Sequence, residues 1–227
     1  HKKAVWITWN YAAGEEAFEG FEQSYTAAGG TIVKKLGLPF PNVEFQALLT
    51  EIASLNPDAV ACFFAGGGAA KFLRDFAAAG LNKNIQLYGS GFLTEGVLDA
   101  AGDAANGVLT TMHYSDSLDT PRNKKFRLEY AKTFKLQPDV YAVQGYDTGL
   151  LLVRGANAVK GDLNNKKALY AAMEGATIDS PRGKWTMSKA HNPVQDIYLR
   201  KVENKENKVI GIAQKAVADP ATGCRMG

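Results

Sequence analysis

Through the first 113 residues, short apolar runs of strand character alternate with longer stretches whose apolar residues recur at helical spacing. That alternation confines the chain to a parallel sheet with helices packed on its faces. The run at residues 4–9 leads into the turn Asn10-Tyr11-Ala12-Ala13-Gly14. A helix follows with Phe18, Phe21 and Tyr25 on one stripe, closed by Gly29-Gly30. Thr31 to Lys35 is a second strand, followed by a loop holding Pro39 and Pro41. The next helix carries Phe45, Leu48, Leu49 and Ile52 and stops at Asn56-Pro57. Ala59 to Phe64 reads as a short buried strand, Gly66-Gly67-Gly68 as a turn, and Phe72, Leu73 and Phe76 as a helix closed by Gly80. Ile85 to Tyr88 and Val108 to Met112 complete the strands.

The rhythm changes after His113. Tyr114 to Pro121 is a polar connector, and helices follow around Phe126, Tyr130 and Phe134, over residues 141–158, and over residues 166–174. Residues 114–180 show no strand for these apolar stripes to cover. Their sheet is therefore expected from a segment outside this chain or from another chain. Lys184 to Met187, Gln195 to Val202 and Lys208 to Ala213 read as strands, the last two as a hairpin over residues 203–207.

Composition excludes several function classes. With 46% hydrophobic and 22% charged residues the chain is an ordinary globular sequence. The net charge of +3 comes from scattered lysines, with no block of like charges to track a phosphate backbone, so no nucleic-acid partner is expected. No apolar run approaches the roughly 20 residues that span a bilayer. The chain opens directly on Ala4-Val5-Trp6-Ile7-Thr8, with the signal removed or the start missing. Cys62 lies in an apolar strand and Cys224 in the tail, so the two form no stapled framework; Cys224 pairing with a cysteine upstream stays open.

Catalytic patterns are incomplete. A nucleophile elbow at Gly89-Ser90-Gly91 needs glycine at 88 and 92, where Tyr88 and Phe92 stand. Gly66-Gly67-Gly68 opens a helix after a strand, as a phosphate loop does. Lys71 occupies the last glycine position of the dinucleotide motif, no Lys-Ser/Thr pair follows, and no acid ends the next strand. His1, His113 and His191 are scattered and form no metal-ligand pair. No catalytic residue, metal or cofactor is expected. What remains is a set of small-residue loops at the carboxyl ends of strands, where open α/β sheets bind ligands: residues 10–14, 65–68 and 90–92. They read as the wall of a binding cleft.

Those loops carry a resemblance. Asn10-Tyr11-Ala12-Ala13-Gly14, Phe18-Glu19-Gly20-Phe21, Asn56-Pro57-Asp58-Ala59-Val60 and Gly89-Ser90-Gly91-Phe92 are followed by Ala142-Val143-Gln144-Gly145-Tyr146-Asp147. Ser180-Pro181-Arg182-Gly183 and Pro193-Val194-Gln195-Asp196-Ile197-Tyr198 come next. In this order they resemble the type I periplasmic solute-binding proteins of ABC importers, the leucine/isoleucine/valine-binding-protein-like family and its aromatic-carboxylate-binding branch. The resemblance implies a two-lobed α/β fold whose lobes close on the ligand. It groups residues 1–113 and 194–227 as the second lobe, and 114–193 as part of a first lobe whose upstream strands, with the hydroxyls that hold the ligand carboxylate, are missing here.

It further implies a ligand site at Asn10, Tyr11, Ala12, Ala13, Gly67, Gly91 and Phe92, with Tyr141 and Gln144 from the first lobe. The ligand is a small carboxylate, the partner a membrane permease, and the location periplasmic. Amino-acid-binding relatives place a glutamate near Gly91 to pair the ligand ammonium, whereas this chain reads Gly91-Phe92-Leu93, which favours an aromatic acid. The alternatives are a branched-chain amino acid or amide ligand, or a ligand-sensing domain of a regulator or receptor.

Overall fold

Strand β1 (Lys3–Asn10) is buried without a break from Ala4 to Trp9 and has a parallel neighbour on each side, as a strand covered on both faces should. The structure is a computed structural model and describes residues 1–225. They fall into two units, His1–Thr111 with Arg200–Lys208, and Met112–Leu199 with the residues from Val209 onward.

In the first unit β1 runs into α1 (Ala12–Ala27), then come β2 (Thr31–Pro39), α2 (Gln46–Leu55), β3 (Ala59–Phe63), α3 (Gly66–Ala78), β4 (Gln86–Ser90), α4 (Leu98–Ala101) and β5 (Leu109–Met112). The strands stand in the order β2-β1-β3-β4-β5, with all four junctions parallel. Alternation sorts the side chains. Val5, Ile7, Trp9, Val60, Cys62 and Leu87 face α2 and α3, whose Leu49, Ile52, Phe72, Leu73 and Phe76 close one core together with Phe45 just ahead of α2. Trp6, Ala61 and the half-buried Phe63 and Tyr88 face the other way, against Phe18 and Phe21 of α1.

Helix α2 ends where Asn56 takes a left-handed φ of 45° ahead of Pro57. Next to it, Asp58 accepts the N–H groups of Lys2 and Lys3, both at 2.8 Å, and ties the start of β1 to β3. These two hydrogen bonds hold its carboxyl below the ordinary aspartate range. Strand β2 continues to Pro39, beyond the Lys35 at which the sequence suggests a loop. Its place at the sheet edge explains this, since an edge strand accommodates a proline that cannot donate to a ladder.

The second unit holds α5 (Pro121–Phe134), α6 (Val140–Ala158) and α7 (Lys166–Glu174), the antiparallel pair β6 (Thr177–Ser180) and β7 (Gly183–Met187), and parts of β8 (Pro193–Glu203) and β9 (Glu206–Val217). Its helices are capped by side chains: Thr120, Asp139 and Asn165 accept the N–H of Asn123, Ala142 and Ala168. The expectation that residues 114–180 contain no strand is corrected by β6. That strand offers only Ile178 as an apolar inward residue, too little for a period-two signal. Leu150 and Leu151 of α6 pack on Ala176, Ile178 and Trp185, so the helix covers local strands. Other large apolar side chains of these helices, including Leu128, Phe134, Leu152, Val153 and Tyr170, are exposed.

The grouping of 194–227 with the first 113 residues differs from the observed units. Pro193 and Val194 pair with Met187 and Thr186 of β7, and β9 stays paired with β8, so residues 193–199 and those from 209 onward lie in the second unit. Residues 226 and 227 of that grouping lie outside the described residues. Between β8 and β9, Asn204 and Lys205 turn the chain at φ 52° and 62°, the two positive values of a tight hairpin.

Candidate functional site

Four strands of the first unit end in aromatic residues or lead directly into them. Trp9 ends the inward row of β1 and Tyr11 follows it; Phe40 follows β2, Phe63 ends β3, and Phe92 follows β4. The Tyr11 and Phe40 rings stack at 5.4 Å with 14° between their planes. Phe63 lies 6.3 Å from Tyr11 and meets Phe92 edge-on at the same separation. Beneath them Trp9 is edge-on to Phe40 and Phe64, and its Nε1 donates to the Asn42 carbonyl at 2.7 Å. Phe40 is 58% exposed and Tyr11, Phe63 and Phe92 are half-buried, so the cluster is an aromatic shelf open on one side.

Backbone donors surround the shelf. Helix α1 starts after Tyr11, α3 after Ala65, and a 3-10 turn (Gly91–Leu93) after Ser90; none of the three has a side-chain cap, in contrast to the capped helices of the second unit. The first-turn N–H groups of a helix have no intrahelical acceptor, so these starts present donors and positive helix-dipole ends to an anion. Small residues keep them accessible. Ala12, Ala13, Gly66 and Gly67 are exposed, and a Cβ at Gly67 would meet nothing within 4 Å. Ser90 Oγ is buried and has no hydrogen-bond partner among the described residues, which leaves an acceptor or donor unassigned at the edge of the shelf.

The structure thus brings Tyr11, Ala12, Ala13, Gly67, Gly91 and Phe92 to one edge of one sheet. Asn10 shares that edge, but its carboxamide lies over Gly37 of β2. Gly91 is buried, with its carbonyl turned inward to Arg200. Tyr141 and Gln144 lie on the first turns of α6 in the second unit, both exposed, with Gln144 Nε2 3.3 Å from His113 Nε2. Sequence reasoning missed Phe40 and Phe63. A strand continuing through Pro39 would have carried Phe40 to the sheet edge, and period-two alternation puts Phe63 on the face opposite Phe64.

Titratable chemistry is sparse. Burial pushes the Cys62 thiol well above its ordinary value, which keeps it an inert core group. Among the described residues no cluster of His, Cys, Asp or Glu could hold a metal ion, and no helix is long and apolar enough to cross a membrane.

Desolvation raises the Tyr11 phenol, since burial disfavours the charged form. Tyr11 therefore stays neutral below the ordinary phenol value of about 10. Whatever stability that neutral form gives is complete below this value and is lost as pH rises through the higher folded one. In a spectrophotometric titration, the difference between wild type and Tyr11→Phe should show a phenol ionising above pH ~10; ionisation at or below that value would contradict the burial.

The Periplasmic binding protein family model matches residues 1–207. A Leu/Ile/Val-binding protein homolog 6 of Brucella abortus (strain 2308) is 31% identical over 212 residues, 91% of this chain and 54% of that protein. A solute-binding protein of an ABC transporter from R. palustris, solved in complex with benzoate, is 51% identical. It superposes with a TM-score of 0.91 over 99% of this chain and 62% of that one. A second solute-binding protein, from Rhodopseudomonas palustris BisB5 and solved with 3,4-dihydroxybenzoic acid, is 35% identical with a TM-score of 0.86, covering 97% and 62%. The chain spans about half the length of the Brucella protein and less than two thirds of the two solved chains. With its parallel sheet, its open strand ends and a family match that runs from residue 1 to residue 207, the chain belongs to the periplasmic binding protein family.

Proposed function

We propose that this chain carries one face of the ligand site of an extracytoplasmic solute-binding component of an ABC importer, and that the ligand is an aromatic carboxylate. The observation that carries the reading is the aromatic shelf of Tyr11, Phe40, Phe63 and Phe92 beside uncapped helix starts. An aromatic acid has the matching halves: a flat ring to stack and an anion to receive N–H donors.

The acids bordering the shelf support a ligand without an ammonium group. Glu15 is paired with Lys35 at 2.5 Å and Glu95 with Arg200 at 3.0 Å, so both carboxylates are already engaged. Benzoate and dihydroxybenzoate in the two R. palustris relatives agree with this chemistry. Tyr141 and Gln144 are retained in the proposal as further ligand-binding residues, and a membrane permease as the partner. The function is binding and delivery, with no bond made or broken.

Thermal melting of the complete gene product, with and without ligand, tests the reading. Benzoate at 100 times its dissociation constant is expected to add about 2.7 kcal/mol to stability. The name of the Brucella relative supplies the competing outcome. Stabilisation by leucine and by no aromatic acid would replace the proposal with branched-chain amino acid binding.

A further inference from the structure

Arg200 is the largest fully buried side chain among the described residues, 1% exposed, and a guanidinium held out of water needs a specific set of acceptors. Its Nη1 donates to Glu95 Oε2 at 3.0 Å, its Nη2 to the Gly91 carbonyl at 3.1 Å and to Thr94 Oγ1 at 3.4 Å, and its Nε to Thr110 Oγ1 of β5 at 3.2 Å. Three of these acceptors belong to the one short segment 91–95 that carries Phe92 to the shelf.

The same Gly91 carbonyl also accepts the N–H groups of Thr94 and Glu95, both at 3.1 Å. It belongs to the peptide unit that ends in the Phe92 N–H. A cation on the oxygen side of a peptide draws electron density toward that oxygen, and hydrogen bonds in such a chain strengthen one another. Arg200 thereby acts on the Phe92 amide as well as on the position of the ring. From the other side, the fully buried Leu93 packs directly over Gly89, where any side chain would collide with it. Between the Leu93 anchor and the guanidinium the segment has one place to sit.

We propose that Arg200 is a positioning residue for the ligand site: it holds the turn 91–95 so that the Phe92 ring and amide are set for the ligand, without touching the ligand itself. This rests on the function proposed above. Binding to a preset turn avoids the cost of ordering it on association, so loosening the turn should appear as lost affinity.

The test pairs Arg200→Met with Glu95→Gln, which removes the ion pair without leaving a buried carboxylate uncompensated, and compares it with wild type in the complete gene product. Benzoate affinity by titration calorimetry is expected to fall about tenfold. Amide exchange of residues 92–95 should accelerate while the amides of β1 and β3 keep their wild-type rates. Arg200→Lys keeps the charge but gathers its donors on one nitrogen, and should fall between the two.

Unchanged exchange at 92–95 overturns the proposal. So does acceleration spread evenly over β1 and β3, which would make Arg200 a packing residue. If wild type binds no benzoate, the functional reading fails, and the exchange comparison alone decides the role of Arg200 by the same two outcomes.

Discussion

Asp147→Ala is expected to destabilise the second unit by roughly 3–5 kcal/mol, the cost of leaving a buried cation without its partner. Asp147 and Arg182 are 3% and 5% exposed at their side chains and meet at 2.6 Å. The same Asp147 oxygen accepts the indole N–H of Trp185 at 3.0 Å, and the guanidinium lies 5.4 Å from the Trp185 ring. Arg182 extends the cluster through its backbone: its N–H donates to Ser180 Oγ at 3.2 Å, and its carbonyl accepts the Tyr198 hydroxyl at 2.6 Å. One carboxylate on α6 therefore fixes the β6–β7 turn and, through it, β8.

Asp147→Asn keeps the shape and one acceptor and should cost less. Asp147→Leu with Arg182→Met removes both charges together and should cost less than Asp147→Ala alone, since burying an apolar pair avoids an unpaired ion. Urea denaturation followed by near-ultraviolet circular dichroism, which reports Trp185, measures all three. A change below about 1 kcal/mol for Asp147→Ala would show that water reaches the guanidinium and that the pair is dispensable.

The second large effect concerns the shelf. Tyr11→Ala removes a ring stacked on Phe40 and in contact with Phe63, and should weaken benzoate binding by about 30-fold, the scale of a buried aromatic anchor. Phe92→Ala acts on the opposite rim, where its ring touches Phe63, and should weaken binding in the same direction. Tyr11 is half-buried and Phe40 more than half exposed, so melting of the unliganded Tyr11→Ala protein should stay close to wild type. Titration calorimetry beside melting separates the roles. Full affinity in both variants would remove the shelf from the site, and a collapsed melting transition in Tyr11→Ala would assign that ring to the core.

Much of the first unit was legible because its signals are local. Six consecutive buried residues in β1, the glycines and prolines that stop helices, and the stripes of Phe72, Leu73 and Phe76 each declare an element within a dozen residues. The small-residue stretches at 10–14, 65–68 and 90–92 were legible for the same reason, although Ala12–Gly14 and Gly66–Gly68, read as turns, form the first turns of α1 and α3. What escaped depends on partners distant in sequence. Phe40 joins the shelf only because β2 holds a parallel register with β1 out to Pro39, opposite Asn10. Glu95 and Arg200 lie 105 positions apart, and no periodicity announces their contact. Strand β6 is four residues long with alternating burial, and depends on pairing with β7 for its identity. The three cap side chains, by contrast, are Thr, Asp and Asn immediately ahead of helices, a signal already present in the sequence.

The setting of Trp9 has an optical consequence. The chain has three tryptophans, at positions 6, 9 and 185, and all three are buried. Trp6 packs against Phe18 and Phe21 on the opposite face of the sheet, and Trp185 belongs to the second unit. Trp9 alone sits directly under the shelf, 5.3 Å from the Phe40 ring and 6.2 Å from that of Tyr11. With phenylalanine at positions 6 and 185, the remaining indole emission would come from a single fluorophore built into the floor of the site, and occupancy could be followed by light without any attached dye.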